Sequence, residues 1–88
     1  MASIRDLKKD INYVLGDIIE EVYVWEMENT DKGTEKSEAI IDEAITTFDD
    51  LIAKVSDRTI ENRSSHLKQV SSELEEKAKA LIDKLNKL

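Results

Sequence analysis

The chain has 88 residues, a net charge of −7 and 38% charged residues, with no cysteine, no proline and only two glycines. Disulfides and thiolate metal sites are thereby excluded, and a proline-free, glycine-poor, highly charged composition is that of an all-helical chain. The acidic balance argues against nucleic acid and anionic membranes as partners, because both demand clustered Lys and Arg.

The first predicted element spans residues 4–28. Ile4, Leu7, Ile11, Val14, Leu15, Ile18, Ile19, Val22 and Trp25 recur at helical spacing and form one core-facing stripe. Ser3 is expected to cap its start, with Asp6 three residues on. The opposite side carries Tyr13, Gly16, Glu20, Tyr23, Val24 and Met27, linked by steps of three and four residues. Gly16 costs about 1 kcal/mol relative to Ala inside a helix. Beside two tyrosines, that glycine lets another backbone approach. These six residues are the candidate interface, and tyrosine suits it because a phenol accepts burial on one side and water on the other.

Residues 29–34, Asn-Thr-Asp-Lys-Gly-Thr, are rich in turn formers. Gly33 is expected in a left-handed backbone position and Thr34 as the N-cap of a second helix over 35–56. Ile40, Ile41, Ala44, Ile45, Phe48, Leu51, Ile52 and Val55 form its buried stripe. A break then follows, either at Ser56-Asp57 or between Asn62 and Ser65. The first is preferred, with Asp57 as N-cap of a third helix over 58–87. Its stripe is Leu67, Val70, Leu74, Ala78, Leu81, Ile82, Leu85 and Leu88, and its exposed side offers Glu73–Lys77, Glu75–Lys79 and Asp83–Lys87 at four-residue spacing.

Charge is distributed unevenly: residues 1–30 carry a net −4, 31–57 a net −5 and 58–88 a net +2. In an antiparallel up-down-up three-helix bundle, Lys77, Lys79, Lys84 and Lys87 reach the acidic junction of the first two helices, while Arg5, Lys8 and Lys9 meet Asp49, Asp50 and Asp57. That arrangement is the expected fold of this single helical domain. The alternative is a hairpin with one long second helix that dimerises into a four-helix bundle.

Candidate chemistry is sparse. Asp17-x-x-Glu20-Glu21 and Glu35-x-x-Glu38 supply acids on facing helices, but they depart from the Glu-Glu-x-x-Glu and Glu-x-x-Asp helices of the all-α nucleoside-triphosphate pyrophosphohydrolases. His66 stands alone, without a second histidine or a cysteine. The longest apolar run, Val22 to Trp25, is far short of a membrane span. The N-terminus turns polar too soon for a signal peptide. The expectation is a cytoplasmic protein without cofactor or metal that works by binding protein, either a second copy of itself or a basic partner. A metal-dependent hydrolase using carboxylates of the first two helices is the rival.

Overall fold

A computed structural model describes residues 4–57, 59 and 61–88. It is an all-α three-helix bundle: α1 (Ile4–Glu28), α2 (Glu35–Ser56) and α3 (Arg63–Asn86). The bounds of the first two helices are those the periodicity predicts. Because α2 ends at Ser56 and α3 begins at Arg63, residues 35–88 do not form one long helix.

The core is aliphatic. Leu7, Ile11, Leu15, Ile18 and Val22 of α1 meet Ile40, Ile41, Ala44, Leu51 and Val55 of α2 and Val70, Leu74, Ala78 and Leu81 of α3. Full burial of each larger side chain stabilises by about 1.5–3 kcal/mol. Ile4, Val14, Ile19, Phe48, Ile52, Leu67, Leu85 and Leu88 pack around the edge. Two members of the expected stripes leave it: Ile45 and Ile82 are exposed. Ser37 and Thr47 are buried instead. Both lie in phase with Ile40, Ala44 and Leu51, so position on the helix, rather than polarity, decides their burial.

Ser3, expected to cap α1, lies outside the described residues. Helix ends differ from expectation at three points. Gly33 does not adopt a positive φ. Thr34 precedes α2 and its carbonyl accepts the Glu38 amide at 2.8 Å, but its side chain caps no backbone N–H. Its hydroxyl turns to the Glu38 carboxylate instead. Finally, Asp57 closes α2 rather than opening α3. Its carboxylate takes the amide and hydroxyl of Thr59 at 2.9 and 2.6 Å, forming a local turn that competes with helix initiation. The same two donors hold the Asp57 carboxyl below its ordinary 3.8, the hydroxyl first. Asn62 is the N-cap of α3, accepting from Ser65 N. Both candidate break points are therefore used, one to stop a helix and the other to start the next.

Polar contacts fix how the helices lie. Ser37, at the start of α2, donates to Glu26, at the end of α1, at 2.8 Å. Lys54, late in α2, reaches Glu73 in the first half of α3 at 2.7 Å, and Lys84, late in α3, meets Glu43 early in α2. Lys54 also holds Asp50 at 3.2 Å. These hydrogen bonds, to Glu73 first and then Asp50, keep its ammonium protonated above the ordinary 10.5. The four-residue pairs expected along α3 do not close among the described residues, and Glu73 is drawn across to α2 instead of to Lys77. Nor do Arg5, Lys8 or Lys9 form an ion pair among the described residues. Asp50 is already taken by Lys54 on its own helix. The bundle measures 51 × 18 × 17 Å, with a radius of gyration of 14.6 Å. A compact chain of this length has about 12 Å, so the molecule is a rod.

Candidate protein-interaction face

At about 100° per residue, the buried side chains of α1 point in one direction, and Tyr13, Gly16, Glu20, Tyr23, Val24 and Met27 occupy an arc of about 100° centred opposite to them. The helix buries its core stripe so completely because two helices cover it. The same arrangement leaves the far side uncovered. Tyr13 is 63% exposed, Tyr23 51%, Val24 37% and Met27 70%. Gly16 and Glu20 are exposed as well.

The six residues do not form a single flat patch. Contacts with the neighbouring helices divide them. Glu26, bonded to Ser37, marks the flank of α1 that faces α2. Val24 lies on the other flank, in a surface cleft with Trp25, Leu85 and Leu88 at the end of α3. Trp25, placed in the main stripe by its spacing, is half-buried there. Gly16, Tyr23 and Met27 follow the α2 side of the arc, and Tyr13 the α3 side.

Gly16 faces open space: a Cβ placed on it meets no atom of the described residues within 4 Å. No turn, positive φ or close neighbour within this chain accounts for a glycine in the middle of a helix.

One residue absent from the sequence-based interface adjoins it. Ile45 is 48% exposed. On α2, Glu43, Asp50 and Lys54 mark the flank turned to α3, and Ile45 falls about 180° from Lys54. It therefore sits on the α1 side of α2, at the outer edge, in line with half-buried Phe48 and Ile52. Its three- and four-residue neighbours place it in the buried stripe by periodicity alone. The signal that separates it is the acidic rim of Asp42 and Asp49 on the same side.

The carboxylates named for metal chemistry do not converge. Among the described residues no three His, Cys, Asp or Glu side chains are grouped so as to hold a metal ion. His66 is half-buried, and its Nε2 lies 2.6 Å from the Lys54 carbonyl, to which it donates at the end of α2. No described helix is long and apolar enough to cross a membrane. No family model, curated protein or solved structure matches the chain.

Proposed function

We propose that this protein acts through protein–protein association, as a homodimer in the cytoplasm, with the outer side of α1 as its interface and no catalysis of its own. The observation that carries this reading is the unexplained glycine amid exposed aromatic and thioether side chains. Gly16 weakens its own helix, nothing among the described residues uses the space, and Tyr13, Tyr23 and Met27 stand exposed along the same side of α1. A partner laid against α1 gains a close backbone approach at Gly16 and apolar contact on either side of it. Symmetric dimers are the commonest result when a surface of this kind is self-complementary.

Light scattering on the wild type and on Tyr23→Glu tests the reading. A dimer is expected for the wild type at tens of micromolar, and a monomer for the variant. A monomeric wild type overturns the proposal, and a dimer that Tyr23→Glu leaves intact places the interface elsewhere. Gly16→Ala adds a second readout. It is expected to stabilise the isolated bundle by roughly 0.5–1 kcal/mol while weakening association, two effects that a merely tolerated surface glycine does not combine.

A further inference from the structure

We infer that the partner is a second copy docked antiparallel, α1 against α1, with the two-fold axis passing at Gly16. This rests on the proposed association and specifies its geometry. The row that runs through Gly16 begins at Arg5 and continues through Lys9, Asn12, Gly16, Glu20, Tyr23 and Met27, in steps of three and four. All seven residues are exposed.

The row is self-complementary about its centre. With Gly16 facing Gly16, residues equally spaced on either side meet across the axis. Asn12 then opposes Glu20, an amide donor to a carboxylate. Lys9 opposes Tyr23, an ammonium against an aromatic ring. Arg5 opposes Met27, a long aliphatic stem against a thioether. Each pairing occurs twice, as an isologous interface requires.

Charge selects this direction over the other. Arg5, Lys8 and Lys9 line one shallow depression with Ile4 and Asn12, and none of the three cations has an ion-pair partner among the described residues. The acids of the same stretch, Asp6 and Asp10, lie on the opposite flank of the helix by spacing. From Asp17 to Glu28 α1 carries no base; of its five acids, Glu20 lies on the row and Glu26 on its α2 flank, whereas Asp17, Glu21 and Glu28 share the flank of Asp6 and Asp10, and Glu38 and Asp42 of α2 stand beside that end. A parallel pair sets Lys9 against Lys9 and Glu20 against Glu20, whereas the antiparallel pair brings the basic end of each copy to the acidic end of the other. Ile45, at the edge of α2 next to the row, adds an exposed apolar side chain beside its polar centre.

The absence of cysteine makes the register directly readable, since each introduced thiol is unique. Arg5→Cys and Met27→Cys are prepared separately and oxidised alone and as an equal mixture, with light scattering on each sample before oxidation. The mixture is expected to form the covalent heterodimer about tenfold or more faster than either variant forms a homodimer, because docking holds opposed thiols at millimolar effective concentration. Preferential Met27→Cys homodimers in a sample that scatters as a dimer establish parallel pairing and overturn the inference while the association stands. A dimer in which no combination crosslinks places the contact on another face and also overturns it. A wild type that scatters as a monomer removes both.

Discussion

Ser37 is fully buried, and its single hydroxyl hydrogen lies between two acceptors, Glu26 Oε2 at 2.8 Å and Thr34 O at 2.9 Å. The first ties α2 back to α1, and the second closes the turn into α2. Ser37→Ala removes both contacts and leaves the Glu26 carboxylate without that partner. Loss of one such bond costs about 0.5–1.5 kcal/mol, and more where a polar group stays desolvated. Chemical denaturation is therefore expected to show a loss near the top of that range, against little change for Ser56→Ala on the exposed end of the same helix. The sequence contains the signal for Ser37, which stands three residues before Ile40 and seven before Ala44. A reading that admits only apolar residues to a stripe passes over it. Gly16 is the converse case: its cost is legible in the sequence, but the emptiness around it belongs to the fold.

The two cap positions make a sharper comparison at the scale of the helix. Thr34 and Asn62 occupy the same place before α2 and α3, yet only the Asn62 side chain accepts from a backbone amide. Asn62→Ala is expected to lower stability by about 1 kcal/mol, the usual worth of such a cap. Thr34→Ala is expected to lower it by a few tenths at most, on the order of an exposed side-chain contact. Equal losses, measured by urea denaturation, contradict the assigned caps. The bounds of α1 and α2 are legible in the sequence, whereas the start of α3 is not. Asp, Asn, Ser and Thr crowd residues 56–65, and each type suits either a turn or a cap. Which role Asp57 takes depends on Thr59 folding back onto it, a local competition that composition does not decide.

Across the whole bundle, the pairs that join α2 to α3 couple the acidic middle of the chain to its basic end. Lys54 and Lys84 are both partly solvated, so each pair contributes about 0–1 kcal/mol and is sensitive to salt. Lys84→Glu sets a carboxylate against Glu43. A destabilisation of about 1 kcal/mol is expected at low ionic strength, shrinking toward zero at molar salt as the screening length falls to about 3 Å. Thermal melts at the two salt concentrations check it, and equal shifts at both contradict an electrostatic origin. The charge imbalance between segments points to this contact. It does not identify which lysines participate, because the rotation of α3 about its axis decides that. The same is true of the interface candidates: that α1 has a second apolar side is written in its spacing, whereas the division of that side between the α2 and α3 flanks, and the contribution of Ile45, require the helices in place.

The rod shape bears on what any assembly looks like from outside. At 51 Å long and about a third as wide, the monomer scatters and tumbles as a stubby cylinder. A copy laid flank to flank thickens that cylinder while leaving its greatest dimension nearly the same, and an end-on copy doubles it. Small-angle scattering thus separates lateral from axial growth by a single length, without knowledge of which residues touch.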